Sequence, residues 1–185
     1  MDDQPTRLDR DHDAPMTDAE QRALRSMMGR FATGVTVVAA RYGPLLAGMT
    51  ANAIATISID PPLLVASVNR RSETHRAIVQ SHAFAVSVLA EGQRTLADCF
   101  AQATTAEKLR RFCDAAWHEG ETGSPLLEGA IAYFDCRVGS RHDGGTHSIF
   151  IGEIVAGGYD PAMEPLLWFG SHYRTLSPST DETDR

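Results

Sequence analysis

Residues 130–157 carry the pattern that most restricts the fold: two long β-strand runs on either side of Gly144-Gly145. The runs AIAYFDCRV and HSIFIGEIV are rich in β-branched and aromatic residues, and a Gly-Gly pair between such runs is typical of a β-hairpin. Similar runs predict strands at 34–41, 46–57, 63–68, 83–90 and 165–170. These runs together predict one closed antiparallel sheet.

Short helices interrupt the strand pattern. Thr17 and Glu20 form a T-x-x-E capping box, which predicts a helix as far as Arg30. Its apolar face, which we expect to pack into the core, consists of Leu24, Met27, Met28 and Phe31. Further helices are predicted at 72–80, 92–101 and 105–112. The expected fold class is mainly β, because strands and helices do not alternate regularly and no nucleotide-binding glycine motif is present.

The net charge of −7 is concentrated at the two ends of the chain. Residues 1–20 carry seven acids and two arginines, and residues 175–185 carry three acids and one arginine, so the stretch between them is neutral. We therefore expect an acidic, disordered tail at 1–20, a single domain at 21–174 and a flexible tail at 175–185. A neutral domain without a basic run disfavours nucleic acid as a partner.

The remaining composition predicts a cytoplasmic protein without a membrane segment. No apolar run approaches the roughly 20 residues that a transmembrane helix needs. Three cysteines without paired spacing or a secretion signal predict free thiols. The seven histidines show no metal-ligand spacing, so we expect no metal site, and no nucleophile motif of a hydrolase is present.

Two segments carry polar residues that a plain core does not need. In GMTANAIATISIDPPLLVASV (48–68), small hydrogen-bonding residues precede a buried strand, which indicates either a loose turn or a surface that faces a ligand. In SVNRRSETHR (67–76), a strand is followed by two arginines and a helix start. Such a turn suits a phosphate, but the residues alone favour an ordinary serine cap with solvated arginines, because serine caps are common.

Taken in order, these segments resemble the short-chain flavin reductases of two-component monooxygenases. The resemblance covers about residues 22–173, and it rests on the combination of G-M-T-A-N, S-x-x-P-P-L-L-x-x-S-V and the later D-G-x-x-H turn. It implies an FMN-binding split β-barrel, usually a homodimer, that transfers hydride from NADH or NADPH to FMN or FAD. Reduced flavin would then reach a separate oxygenase component by diffusion.

The resemblance also implies the site residues and so favours the ligand-facing reading of 48–68. Those expected to contact the flavin are Gly48, Met49, Thr50, Asn52, Ala53, Ser67, Val68, Asn69, Ser72, Glu73, Thr74, Cys99 and Phe100. Those expected to contact the nicotinamide are His147, Trp168 and Tyr173. No side chain is expected to act as an acid, base or nucleophile, because hydride passes directly between two bound rings.

Three positions depart from the family pattern. Ala53 stands where the family often has Ser, Thr146 where it often has Asp before the histidine, and F-G-S-H-Y where the closing strand usually ends R/G-G-x-Y. The last two concern the nicotinamide side. Two alternatives therefore stay open: a flavin-containing oxidase or oxygenase with tightly bound FMN, and a flavin-binding electron carrier without enzymatic activity.

Overall fold

The computed structural model describes residues 15–102 and 112–177, which contain three α-helices and twelve β-strands. The helices are α1 (Asp18–Met28), α2 (Glu73–Ser81) and α3 (Arg94–Ala101). The strands are β1 (Thr33–Gly34), β2 (Thr36–Tyr42), β3 (Leu45–Ala51), β4 (Ile54–Ser58), β5 (Leu63–Asn69), β6 (Ala83–Val88), β7 (Trp117–Glu119), β8 (Pro125–Leu127), β9 (Ala132–Gly144), β10 (His147–Tyr159), β11 (Leu167–Phe169) and β12 (His172–Arg174). None of these helices is long and apolar enough to span a membrane.

Seven antiparallel strands form the main sheet, in the order β3-β2-β6-β9-β10-β5-β4. Its centre is the β9–β10 hairpin, whose strands have 13 residues each and turn at Gly145, so the predicted hairpin is confirmed. Two smaller sheets, β1-β11-β12 and β7-β8, lie outside it. The main sheet confirms the mainly β fold class.

The prediction of a closed sheet was wrong, because β3 and β4 are the two edges of the ladder and do not pair with each other in the described residues. Only Asn52 and Ala53 separate these edges along the chain, so the sheet must curl until its edges approach at this connection. The single strand predicted at 46–57 is therefore two strands. Local pattern does not reveal this break, because it depends on which distant strand each half pairs with.

Apolar side chains collect on both faces of the curled sheet. The inner core, which α2 covers, consists of Val38, Ala40, Ala47, Ala51, Leu64, Ala66, Val68, Ala77, Ile78, Phe84, Val86, Cys136 and Phe150. The outer layer, which α3 and the segments around Phe112 and β11 cover, consists of Val35, Val37, Ala39, Leu89, Ala97, Phe100, Phe112, Leu127 and Leu166. Strand β2 is buried on both faces, which explains its continuous apolar run.

The structure confirms the cap of α1 but not its predicted burial. Thr17 and Glu20 form the capping box. None of the residues of α1 is buried, and Met28 and Phe31 are 63% and 77% exposed. The periodicity correctly indicates an apolar face, but it does not show whether this chain or another surface covers that face.

The cysteine prediction was wrong for two of the three residues. Cys99 and Cys113 form a disulfide, with their Cα atoms 6.0 Å apart, and only Cys136 is a free, buried thiol. A separation of 14 residues carries no local signal of pairing. The helix predicted at 105–112 falls almost wholly on 103–111, outside the described residues, as do most of the two predicted tails, 1–14 and 178–185.

Candidate functional site

The polar segment that begins at Gly48 forms the end of β3 and the start of β4. Side chains alternate along β3, so Gly48 and Thr50 face the outer layer while Met49 packs against the inner core. Thr50 Oγ1 donates a hydrogen bond to the carbonyl oxygen of Ala97 in α3, at 2.6 Å. This bond ties the end of β3 to the helix that covers the outer layer.

An open cleft of about 190 Å³ lies at this end of β3, and we call it the outer cleft. It is lined by Val35, Thr50, Ala51, Asn52, Ala101, Trp168 and Tyr173. Asn52 is exposed, and its side-chain amide has no hydrogen-bond partner among the described residues. The cleft thus combines a small-residue floor, an aromatic wall and one free amide. These features suit a binding site for a ligand that has a flat ring with a polar edge.

The aromatic wall comes from the β11–β12 hairpin, where Trp168 pairs with Tyr173. Their ring centroids are 5.0 Å apart and the rings are tilted by 72°. The Tyr173 hydroxyl donates to Asp98 Oδ1 of α3 at 2.7 Å, and the guanidinium of Arg94 lies 5.0 Å from the centre of the Tyr173 ring. These contacts anchor the hairpin on α3.

Tyr173 is held in its neutral form beside the cleft. Burial, together with the hydrogen bond to Asp98, raises the pKa of Tyr173 to about 12. The phenol therefore stays protonated far above neutral pH, and its proton is held by Asp98. Its ring forms part of the aromatic wall of the cleft.

Gly48 is a glycine because two aromatic rings press on it. A Cβ atom at Gly48 would lie 2.8 Å from the ring of Phe100 and 3.0 Å from the ring of Phe112. These rings meet edge to face with centroids 5.0 Å apart. The Cys99–Cys113 disulfide connects the segments that carry them. Gly48, Cys99 and Phe100 thus belong to the packing beside the cleft.

The predicted flavin residues of β5 lie beside the connection Asn52-Ala53, which joins the two edges of the main sheet. Ser67 N donates to the carbonyl oxygen of Ala53 at 3.0 Å, so β5 runs beside the end of the polar segment. Burial alternates along β5: Ser67 and Asn69 are partly exposed, whereas Val68 is fully buried in the inner core. Only the backbone of Val68 is therefore available to a ligand on the outer face.

His147 begins β10 directly opposite Asn69. It is partly exposed, and its Nδ1 lies 2.9 Å from the Thr146 hydroxyl. It does not line the outer cleft, whereas Trp168 and Tyr173 do. The three residues predicted for the nicotinamide thus divide between two places, one in the cleft and one at the end of β5.

The turn from β5 into α2 uses most of its polar groups internally. Ser72 Oγ donates to Asn69 O at 2.7 Å and accepts from His75 N at 3.0 Å, as a helix cap does. Thr74 is 1% exposed, and Glu73 pairs with Arg76 at 3.2 Å. The backbone N–H groups of Arg70, Arg71 and Ser72 also donate within the protein. The structure therefore shows the serine cap, and it leaves only the first N–H groups of α2 without a partner within the helix.

The sequence did not reveal three residues of α3 that belong to the site. Ala97, Ala101 and Asp98 on α3 support or line the cleft, yet none of them belongs to a motif. The spacing of Arg94 and Asp98 predicts a helix ion pair, which the structure shows at 3.8 Å. Nothing local indicates the contact of Asp98 with Tyr173, 75 residues later. Within the described residues, no group of acidic, histidine or cysteine side chains is arranged to hold a metal ion.

Comparison with protein families gives one match over most of the chain. Residues 28–177 match the family described as flavin reductase-like domain.

Three characterised relatives cover most of both sequences. The chain is 37% identical over 171 residues to an NADH-dependent FAD reductase of Streptomyces globisporus, covering 91% of this chain and 93% of the relative. It is 33% identical to HsaB of Mycobacterium tuberculosis, the reductase subunit of a flavin-dependent monooxygenase, over 86% of this chain and 84% of that one. It is 35% identical to the NADH-dependent FMN reductase RutF of Agrobacterium fabrum, over 85% and 91%.

A solved structure has the same fold. The NADH:FAD oxidoreductase SgcE6 of Streptomyces globisporus, in complex with NAD and FAD fragments, superposes with a TM-score of 0.81 and 36% identity. The match covers 91% of this chain and 100% of that one.

Proposed function

Because the chain belongs to the flavin reductase-like domain family, we propose that it is an NADH-dependent reductase of FAD or FMN that supplies reduced flavin to a separate monooxygenase. NADH-dependent FAD and FMN reductases are among its relatives, and HsaB is the reductase subunit of a monooxygenase. The observation that carries the proposal is the outer cleft, where Thr50 and Asn52 meet the aromatic pair Trp168 and Tyr173.

The residues of the outer cleft suit a reaction in which two rings must be held against each other. When both substrates are bound, hydride passes from nicotinamide C4 to flavin N5, and the protein supplies position rather than acid–base groups. Ala51 and Ala101 leave room beside a flat ring, and the Asn52 amide can hydrogen-bond its polar edge. Trp168 and Tyr173 offer an aromatic surface against which a second ring can pack.

The remaining predicted residues extend this surface along the seam. We place the flavin chain beyond the ring on Ser67, Asn69 and the N-terminus of α2. We place His147 at the far end of this strip, opposite Asn69. From the sequence resemblance we assign it to the nicotinamide nucleotide.

Steady-state oxidation of NADH by the purified protein tests the function. Flavin is omitted at first, and then FAD or FMN is titrated in. We expect turnover only with added flavin, and saturation with flavin concentration. Asn52→Ala should raise the flavin KM, while Gln80→Ala, an exposed site on α2, serves as the control. Flavin that stays bound through gel filtration without NADH oxidation would instead support an oxidase or a carrier.

We also propose that the protein is a homodimer. Large apolar side chains are exposed on α1 and just after it, and on the edge strand β4 with its following turn: Met27, Met28, Phe31, Ile57 and Ile59. Exposed apolar groups on an edge strand and on an amphipathic helix mark an interaction surface, and we infer that a second copy of the chain buries it. Light scattering should give twice the chain mass, and Met28→Glu with Ile59→Glu should give the monomer.

NADH is available inside the cell, so we assign the protein to the cytoplasm. The Cys99–Cys113 disulfide is unusual there, because cytoplasmic thiols are kept reduced. Fractionation of cells, with alkylation of free thiols before lysis, checks both the compartment and the state of this bond.

A further inference from the structure

A second cleft lies at the end of the main sheet near the start of α2. It has a volume of about 420 Å³ and is lined by Arg70, His75, Arg141, His142, Asp143 and Ser148. We call it the cationic cleft. None of these residues lines the outer cleft, and none is among the residues predicted to contact the flavin or the nicotinamide.

The cationic cleft opens on the other face of the sheet from the side chains of Ser67 and Asn69. In the β5–β10–β9 register, Ser148 is opposite Val68, and Arg141 is opposite Phe150. Side chains directly opposite each other share a face, and Val68 and Phe150 are buried in the inner core. Arg141 and Ser148 therefore stand on the inner face, at its end, whereas Asn69 is on the outer face.

Arg70 connects the two faces. It follows Asn69, and its Nε donates to the carbonyl oxygen of His147 at 3.1 Å. Its guanidinium also pairs with Asp143 at 2.8 Å on the cationic-cleft side. A ligand chain that runs along Ser67 and Asn69 therefore reaches the cationic cleft by crossing the end of β5.

Within the described residues, one of the two arginines of the cationic cleft has no ion-pair partner. Asp143 pairs with Arg70, whereas Arg141 forms no ion pair with any side chain in the described ranges. His75 lies between them with its Nε2 2.9 Å from Ser148 Oγ, and its ring packs on Phe150. Burial, and then the nearby charges of Arg141 and Arg70, lower the pKa of His75 and so favour its neutral form.

We propose that the cationic cleft binds the adenylate phosphate of a dinucleotide substrate, either FAD or NADH, while the reacting ring occupies the outer cleft. The guanidinium of Arg141 matches a phosphate in charge and geometry, and the Ser148 hydroxyl and the His75 imidazole offer neutral hydrogen bonds beside it. The N-terminus of α2, at Glu73 and Thr74, lies earlier on the same route, and its first N–H groups are the place for the first phosphate of a flavin. This inference rests on the proposed function.

Binding measured by calorimetry tests the site without requiring turnover. FAD and FMN are titrated into the wild type, Arg141→Ala and Arg141→Lys. If FAD is the source of the phosphate, Arg141→Ala lowers the ratio of FAD to FMN affinity by roughly tenfold or more, the scale of one lost charged hydrogen bond. Arg141→Lys restores part of the ratio. Arg137→Ala is the matched control, because Arg137 is an exposed arginine on the same strand outside the cleft.

The alternative that NADH supplies the phosphate is tested by comparing the KM of NADH with the KM of reduced nicotinamide mononucleotide, which lacks the adenylate part. If NADH is the source, Arg141→Ala raises the KM of NADH selectively. Equal loss for mononucleotides and dinucleotides, or no change for either pair, overturns the proposal. A wild type that binds FAD more tightly than FMN through Arg141 but never oxidises NADH would refute the proposed function and leave this site standing.

Discussion

The inner core and the outer layer of the main sheet are built in different ways. The inner core joins alternating residues of neighbouring strands with one face of α2, and its members are mainly aliphatic. The outer layer joins α3, the segment at Phe112, β8 and β11, and its exposed side is largely aromatic, with Trp117, Trp168 and Tyr173 packed against it. The outer cleft is a gap in this second layer, so the candidate site lies in the part assembled from distant segments.

This difference indicates which part of the fold holds the ligand-binding site and which part provides stability. A regular core of strands and one helix provides stability and shape, and the irregular layer outside it can be varied to bind ligands. Changes to the inner core should therefore alter the free energy of unfolding more than ligand affinity. Changes to the outer layer should alter both.

The largest effect is expected for Phe84→Ala in the inner core. Phe84 is fully buried, packs against Phe150, and its ring fills the space beside Gly152. We expect a loss of about 3–5 kcal/mol in the free energy of unfolding, from lost burial and the cavity left behind. Urea denaturation measures it, and flavin affinity of the folded protein should be nearly unchanged. A loss below about 1 kcal/mol would contradict the packing described.

Cys113→Ser is expected to have the next largest effect, and it acts on the outer layer. The Cys99–Cys113 bond spans 14 residues of sequence. Cross-linking a loop of this length stabilises the folded state by about 3 kcal/mol, chiefly by restricting the unfolded chain. The wild type should lose the same amount on addition of dithiothreitol, whereas Cys113→Ser should not respond. A response of the variant equal to that of the wild type would refute the assignment.

Gly48→Ala tests the contact between β3 and the outer aromatic rings. The added methyl group would lie within 3.0 Å of Phe100 and Phe112, which must move. We expect a cost of about 1–3 kcal/mol from overpacking, together with weaker flavin binding at the adjacent cleft. Gly92→Ala is the control, because a Cβ there meets nothing within 4 Å. Equal effects of the two substitutions would remove the packing argument.

The smallest effect is expected for Tyr173→Phe, which removes the hydrogen bond to Asp98. We expect a loss of about 0.5–1.5 kcal/mol at pH 7. The pKa of Tyr173 is raised to about 12, chiefly by burial, so the folded state keeps a proton that the unfolded chain releases near pH 10. This contribution to stability is present below pH 10 and is lost as the pH rises towards 12.

Denaturation between pH 9 and 12 measures that contribution. The wild type should lose stability over this range more steeply than Tyr173→Phe. Tyr159→Phe, at a 79% exposed tyrosine, should behave as the wild type does. Parallel pH profiles for the wild type and Tyr173→Phe would show that the Asp98 contact does not hold the phenol.

Features that depend on neighbouring residues could be predicted from the sequence, whereas features that depend on distant residues could not. The β9–β10 hairpin and the caps of α1 and α2 depend on neighbours in sequence, and all three were correctly predicted. The open seam at Asn52-Ala53 and the Cys99–Cys113 pairing depend on distant partners, and both were missed. The family resemblance named Thr50 and Asn52, but the support by Ala97 and Asp98 was visible only in three dimensions.

The position of the flavin ring tests the central claim most directly. A crystal structure of the protein with FAD or FMN should show the isoalloxazine ring in the outer cleft, along Thr50 and Asn52, with Trp168 and Tyr173 beside it. A ring bound on the α2 side of the sheet, or anywhere else with the outer cleft empty, would contradict the account.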